Sequence, residues 1–182
     1  MARVPYVDRE NLPEQYRDLV SSSANITRAL SNSPKLAYQS GAIARYIRFE
    51  SRLDPRLREM AILQVGYSAR SAYEYTHHIK ISFEFGVSEA DVRAIADETA
   101  GRPTTLDPLA KAVLRAAREM TDGLGISEET FAVLRDALDH ERLVDLVFTI
   151  ANYTGVVRIL AALQVDLEDE YLEYLKKFPF DP

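Results

Sequence analysis

Three prolines placed to open helices constrain the fold of this chain more than any other feature of its sequence. They are Pro13, Pro34 and Pro55, and Ser33 and Asp54 stand before the last two as N-cap residues. Proline suits the first helical position because its missing N–H would have no partner there. Apolar residues at helical spacing follow the prolines, and no alternating strand pattern with hairpin turns is present. The sequence therefore predicts an all-α fold.

Further predicted helices fill the rest of the chain. Gly86 ends one of them, Ser88 and Asp91 resemble a capping box that opens the next, and Ser127 is the N-cap of a later helix. The run 139–163 is the most apolar, so we expect it at the centre of the bundle. In the predicted helix that begins at Pro34, apolar residues at helical spacing predict a buried stripe. This stripe consists of Leu36, Ala37, Ile43, Tyr46 and Ile47.

The size and charge of the chain narrow its class. Its 182 residues carry a formal net charge of −6 and include no cysteine. The length suits a single domain over residues 1–182. The acidic balance, without a Lys/Arg block, argues against a nucleic-acid partner, and the lack of cysteine excludes thiolate nucleophiles, disulfides and cysteine-held metals. We find no apolar run of membrane-spanning length and no secretory signal, so we expect a cytoplasmic protein without membrane contact.

The stretch "SAYEYTHHIKISFEFG", residues 71–86, carries the side chains best suited to chemistry. Glu74 and His78 are four residues apart on a predicted helix, so they share one face. A carboxylate beside an imidazole raises the imidazole pKa and fixes its tautomer, which suits proton transfer. Glu59 on the preceding helix would approach His78 if the two helices pack antiparallel. The residues alone leave open a proton-handling site, a metal site and a surface or interface ion pair.

Other polar side chains add to this cluster. Tyr73, in the same stretch, is a candidate hydrogen-bond donor or pocket wall. His77 precedes His78, but adjacent helical residues point about 100° apart, so the two do not easily reach one ion and we predict no metal. Arg158 stands beside Tyr153 on a very apolar helix, where an arginine needs a partner. That partner is a substrate carboxylate or an acid of the protein.

The order and spacing of these motifs resemble a known family. Glu59, the "SAYE" motif at 71–74, His78 and the "GVS" motif at 86–88 are similar to carboxymuconolactone decarboxylases and alkyl-hydroperoxidase D-like proteins, over roughly residues 35–165. The later run "IANYTGVVRILAALQVDLED" is similar to the last helix of the peroxidase-related members. The resemblance implies a helical bundle of the alkyl-hydroperoxidase D-like type and a homo-oligomer, either a trimer or a hexamer.

The two branches of that family differ at the site. The peroxidases carry a Cys-x-x-Cys-x-x-x-His motif whose cysteine positions fall here on Ser71 and Glu74, with Tyr73 between them. Their proton-relay positions fall on Glu59 and His78. Thiol-based peroxide reduction needs a thiolate, so the resemblance does not extend to peroxidase activity. The decarboxylases keep a glutamate four residues before the histidine, as this chain does.

These observations predict a cofactor-independent enzyme that transfers a proton in a small organic acid or lactone, as a decarboxylase, another lyase or an isomerase. In this hypothesis His78 is the acid and base, Glu74 orients it and Glu59 is the second proton group. The alternative is a peroxidase-related protein without thiol peroxidase activity that serves as a binding or structural oligomer. The predicted catalytic residues are His78, Glu74, Glu59 and Tyr73, and the predicted substrate-binding residues are Arg158, Tyr153 and His77.

Overall fold

The computed structural model describes residues 2–21 and 24–180, and they form a bundle of helices. No strand occurs in this described part of the chain, which confirms the predicted all-α fold. A π-helical segment, Tyr46–Glu50, extends the second α-helix. The α-helices are α1 (Asn25–Leu30), α2 (Pro34–Arg45), α3 (Pro55–Ser68), α4 (Ala72–Ser82), α5 (Glu89–Thr99), α6 (Pro108–Asp122), α7 (Glu128–Ala137), α8 (His140–Leu163) and α9 (Leu172–Lys177).

Helix boundaries follow the predicted local signals at most places. Asp54 caps α3 by accepting a backbone hydrogen bond from the first turn, and Ser88 with Asp91 forms a complete capping box at α5. Gly86 has a φ of 87°, in the left-handed region that glycine adopts without steric cost, and it ends the segment after α4. The first predicted helix differs, because Glu14–Ser21 is a 3-10 segment with a break inside it.

The centre of the bundle is α3. Every residue from 57 to 67 is buried, because α4, α5, α6 and α8 all pack against this helix. Three of the enclosed residues are strongly polar, namely Arg58, Glu59 and Gln64, and each contacts a polar partner inside the protein. The expectation that the run 139–163 is central is therefore wrong, since α8 covers only one side of α3.

Helix α8 is 24 residues long and apolar on more than its inner face. Leu146 and Ile150 are fully buried, whereas the side chains of Val144 and Phe148 are 64% and 45% exposed. An 18-residue window of this helix has a mean hydropathy of 1.7, enough in length and composition to cross a membrane. The expectation that no run reaches this length is thus wrong. Helices in the cores of soluble proteins meet the same criterion, and α8 packs on α3 and α6.

Helix α2 buries less of its apolar surface than predicted. Ala37 and Ile47 are buried, but Leu36, Ile43 and Tyr46 of the predicted stripe are exposed. Part of the stripe stays exposed because α2 packs mainly on α1 and on the 3-10 segment Glu14–Ser21, and not on the central helix α3. Helical periodicity identifies an apolar face without showing what covers that face.

A close crossing fixes α3 against α4. A Cβ atom on Gly66 would lie 2.9 Å from the backbone nitrogen and 3.0 Å from the Cα of Tyr75. The N–H of Ser71 donates to the Gly66 carbonyl at 2.9 Å, so the turn between the helices closes on the same residue. Glycine lets the two backbones approach this closely because it has no Cβ. The crossing places side chains of α3 directly opposite those of α4.

The substitution Gly66→Ala tests this crossing. Overpacking against backbone atoms costs about 1–3 kcal/mol, more than the gain of about 1 kcal/mol from alanine in a helix. We expect the free energy of unfolding, measured by chemical denaturation, to fall. Gly155→Ala in α8 is the matched control, because a Cβ there meets no atom within 4 Å. Equal or higher stability of both variants would show that the crossing tolerates a side chain.

Candidate active site

A cavity of about 430 Å³ lies between α1, α2, α4 and α8. This volume is in the range of small-molecule sites. The cavity remains open because α2 presents only small side chains to it at helical spacing. These are Ala37, Ser40, Gly41 and Ala44. The polar or aromatic residues that line the opposite walls include Tyr73, Glu74, His77 and His78 of α4, and Asn152 and Tyr153 of α8.

At one end of the cavity, His78 bridges two buried carboxylates. Its Nδ1 lies 2.7 Å from Oε2 of Glu59, and its Nε2 lies 3.0 Å from Oε1 of Glu74. Glu59 comes from α3 and the other two from α4, so the helix crossing brings the three groups together. Glu74 and His78 line the cavity, whereas Glu59 lies behind the imidazole. We call these three residues the relay.

Two cations hold Glu59 in its ionised form. Its Oε1 accepts a hydrogen bond from Nε of Arg58 at 3.1 Å, and its Oε2 faces His78. Burial alone would raise the pKa of Glu59, but the charges and hydrogen bonds of His78 and Arg58 outweigh burial and lower it. Arg58 is itself buried, with its guanidinium carbon 4.5 Å from the ring centroid of Phe85.

His78 is an imidazolium at neutral pH. Burial alone would lower its pKa, but the charges and hydrogen bonds of Glu59 and Glu74 outweigh burial and raise the pKa to about 9. The imidazole also meets the ring of Tyr153 nearly at a right angle, with centroids 5.0 Å apart. Both ring nitrogens donate to carboxylates, so neither is free for a substrate. Glu74 is the acid of the relay that a molecule in the cavity can touch.

His77 belongs to a different cluster, a stack of aromatic rings. Its ring lies nearly parallel to those of Tyr73 and Tyr171, with centroids 4.2 Å and 3.7 Å away. Its Nε2 is 2.7 Å from Oε2 of Glu168. Burial lowers the pKa of His77. The two adjacent histidines therefore hold different protonation states at neutral pH.

Glu168, which follows α8 in the chain, connects this stack to the start of α1. Its Oε1 accepts hydrogen bonds from the Tyr73 hydroxyl at 3.0 Å and from the Asn25 N–H at 2.6 Å. The Tyr73 oxygen in turn accepts from the N–H of Ile26 at 3.1 Å. One wall of the cavity is thus built by α4 together with residues before α2 and after α8.

The structure changes the expected roles of three predicted site residues. The Tyr73 hydroxyl is bonded to Glu168, so Tyr73 is a wall of the cavity and not a free donor. His77 lines the cavity, but its Nε2 is likewise bonded to that carboxylate. Arg158 does not line the cavity: it is exposed on α8 and donates to the backbone oxygen of Thr154 at 3.0 Å. Its outward position corrects the prediction that it binds substrate.

Arg48 and Asn152 are two of the cavity residues that the sequence did not predict. A signal for Arg48 exists, because it follows Ala44 by four residues and extends the cavity-facing side of α2. Asn152 precedes Tyr153, and no pattern in the sequence separates it from a surface asparagine. Among residues 2–21 and 24–180, no three histidine, aspartate or glutamate side chains are arranged as a metal site.

The raised pKa of His78 makes stability depend on pH. A folded-state pKa of about 9, above the ordinary value of 6.5, means that His78 stabilises fully below pH 6.5 and progressively less as pH rises through 9. We expect the free energy of unfolding to fall by roughly 3 kcal/mol across that window. Denaturant titrations at a series of pH values measure the change.

The variant Glu59→Gln is the control for this pH dependence. It removes the strongest influence that raises the His78 pKa, so the decline between neutral and alkaline pH should become shallower. Glu59 itself acts in the opposite direction, because its lowered pKa gives stability that is lost as pH falls through that pKa. A wild-type profile that stays flat from pH 6.5 to 9 would contradict the charged state of His78.

Solved structures share this fold. The AhpD core of an uncharacterized peroxidase-related protein from Ralstonia eutropha JMP134 has a TM-score of 0.78 at 17% identity, over 93% of this chain and 94% of that one. A peroxidase-related protein from Silicibacter sp. TM1040 has a TM-score of 0.75 at 18% identity, over 92% and 91%. A variant of the debrominase Bmp8 in complex with 2,3,4-tribromopyrrole has a TM-score of 0.73 at 18% identity, over 85% and 81%. At these identities the likeness shows the fold alone.

Sequence comparison adds a match to one family over part of the chain. No curated protein matches this chain. Residues 34–119, from α2 into α6, match the carboxymuconolactone decarboxylase family. The matched span contains the whole relay and ends before α8. The chain is thus similar to the carboxymuconolactone decarboxylase family over residues 34–119, and it has the AhpD-like all-α fold of the peroxidase-related proteins.

Proposed function

We propose that this protein is a cofactor-independent enzyme of the lyase or isomerase type that moves a proton in a small organic acid or lactone. The observation that carries the proposal is the relay, which is buried at Glu59 and open to the cavity at Glu74. Burying several charges is costly unless each is well paired. A general acid or base must also reach the proton that it transfers. Glu74 meets this requirement for a molecule in the cavity.

The three members of the relay then have distinct roles. Glu74 exchanges a proton with the substrate. His78 orients Glu74 through the 3.0 Å contact between its Nε2 and Oε1 of that carboxyl group. Glu59 is the fixed anion that keeps His78 charged. These roles differ from the sequence-based hypothesis, in which His78 is the acid and base, because both of its ring nitrogens are already bonded.

Thiol-based peroxide reduction is not part of this proposal. The chain has no cysteine, and that reaction needs a thiolate. The debrominase that shares the fold binds 2,3,4-tribromopyrrole as a cysteine-to-alanine variant. This complex supports the idea that the fold accommodates a small ring compound.

A second candidate function is a binding or structural oligomer without catalysis. The observation that favours it is that both nitrogens of His78 are engaged in ion pairs, as they are in a purely structural network. The two candidates differ in one respect that an experiment can measure. Only an enzyme of the first kind exchanges a substrate proton through Glu74.

Exchange of carbon-bound hydrogen for deuterium tests the first candidate. We expect the wild type in D₂O to exchange a C–H proton next to a carboxylate or lactone carbonyl in a panel of small acids and lactones, followed by NMR. Glu74→Gln should slow the exchange about 10²–10⁴-fold, because an amide cannot accept the proton. Glu141→Gln, at an exposed carboxylate at the start of α8, is the matched control and should not slow it.

The outcomes separate the two candidates. Exchange at equal rates by the wild type and Glu74→Gln would place the chemistry elsewhere. Binding of panel compounds without exchange by any variant would favour the second candidate.

We also propose that the chain forms a homo-oligomer, a trimer or hexamer as the family resemblance implies. Large apolar side chains are exposed on neighbouring elements, and exposed apolar patches commonly mark interfaces. They include Phe49 after α2, at 68% exposed, and Val144 and Phe148 on α8. No nucleic acid, membrane or cofactor enters the proposal, and the expected location stays cytoplasmic.

Sedimentation velocity tests the oligomer. We expect a mass of three or six times the 20.6 kDa chain. The double variant Val144→Glu, Phe148→Glu should sediment as a monomer, because carboxylates are costly to bury in an apolar contact. Leu124→Glu, in an exposed loop between α6 and α7, is the control and should leave the oligomer intact. A monomeric wild type would contradict the proposal.

A further inference from the structure

Several polar side chains line the cavity without a partner in the described part of the chain. The largest of them are Arg48, Asn152 and Tyr153. No carboxylate among the described residues lies within ion-pair distance of Arg48, whose guanidinium contacts the neighbouring ring of Phe49 at 5.9 Å. The Asn152 amide and the Tyr153 hydroxyl make no hydrogen bond to another described residue. Enclosed polar groups normally have partners, so these three donors are available to a molecule in the cavity.

Tyr153 is the most enclosed of the three. Its side chain is 7% exposed. Burial raises its pKa, Glu74 and Glu59 raise it further and Arg48 opposes them, so the hydroxyl remains a donor at neutral pH. The geometry locates its ring, which lies 5.0 Å from the imidazole of His78 and lines the same cavity as Arg48.

Arg48 owes its position to the irregular end of α2. It lies in the π-helical segment Tyr46–Glu50, and such segments are frequent at functional sites. It follows the small residues that α2 turns toward the cavity, and it is partly buried. Neighbouring arginines differ: Arg45 pairs with Glu50, and Arg52 pairs with Glu141. Arg48 is the arginine lining the cavity whose charge no described acid neutralises.

We propose that Arg48, Asn152 and Tyr153 form an anion subsite that binds the carboxylate of a substrate while another part of the molecule reaches Glu74. This inference rests on the proposed function and names the substrate class as an apolar monocarboxylate. A guanidinium binds a carboxylate through two parallel hydrogen bonds, and the other two groups add neutral donors. The aliphatic and aromatic walls, including Ile26 and Val156, suit the apolar remainder of the molecule.

The charges at the site favour a monoanion over a phosphate. The subsite offers one positive charge. At the relay, Arg58 and His78 both pair with Glu59, so the buried cations add no free positive charge to the cavity. A phosphate ester of about two negative charges would be only half neutralised by Arg48. A single carboxylate is matched by one guanidinium.

Matched acid and amide probes test the subsite. We expect the wild type to bind benzoate at least about tenfold more tightly than benzamide, and crotonate more tightly than crotonamide, measured by NMR titration. In Arg48→Gln, affinity for both acids should fall about 10–100-fold, because hydrogen bonds to a charged group are among the strong ones. Affinity for the two amides should stay nearly unchanged.

Two further variants sharpen the result. Arg158→Gln makes the same substitution at the exposed arginine of α8 and should leave acid binding intact. Arg48→Lys keeps the charge without the planar fork and should retain part of the acid affinity, provided that circular dichroism shows a folded protein. Equal loss in Arg48→Gln and Arg158→Gln, or no preference of the wild type for acids over amides, would overturn the subsite.

The outcome also distinguishes this inference from the proposed function. Acid binding that depends on Arg48, in a protein that exchanges no substrate proton, supports the subsite and overturns the enzyme. Proton exchange that depends on Glu74 but is unchanged in Arg48→Gln supports the enzyme and overturns the subsite.

Discussion

A buried imidazolium between two carboxylates is the interaction on which the site depends. Each charge is expensive to bury alone, and each is stabilised by the next: Arg58 and His78 neutralise Glu59, and Glu74 takes the second nitrogen of the imidazole. Removing one member leaves another charged and unpaired. The arrangement therefore holds together as a unit, in which Glu74 and His78 line the cavity and Glu59 lies behind them.

The backbone that supports the relay is shared only in part with the walls that shape the cavity, because α4 contributes to both. The relay comes from α3 and α4, which cross closely at Gly66 and form the buried centre of the bundle. The other walls come from α1, α2, α8 and the segment around Tyr171. The family match covers the first group and only α2 of the second.

The sequence predicts the parts of this structure that local chemistry determines. Spacing places Glu74 and His78 on one face of α4, and cap residues such as Asp54 fix the helix starts. The contact between Glu59 and His78 could be predicted only by assuming that their two helices pack antiparallel, and α3 and α4 do so. Arg48 and Arg158 show the limit: both are arginines among apolar helical residues, and periodicity alone cannot show which faces a cavity and which faces solvent. That difference arises only when the helices pack.

The most direct test of this account is to locate the hydrogen atoms of the relay by neutron diffraction from crystals grown near neutral pH. The account predicts a deuterium on both Nδ1 and Nε2 of His78 and none on Glu59, consistent with their shifted pKa values. A single deuterium on the imidazole, with the other on a carboxylate oxygen, would mean that the site holds no buried imidazolium and would contradict the roles assigned to all three residues.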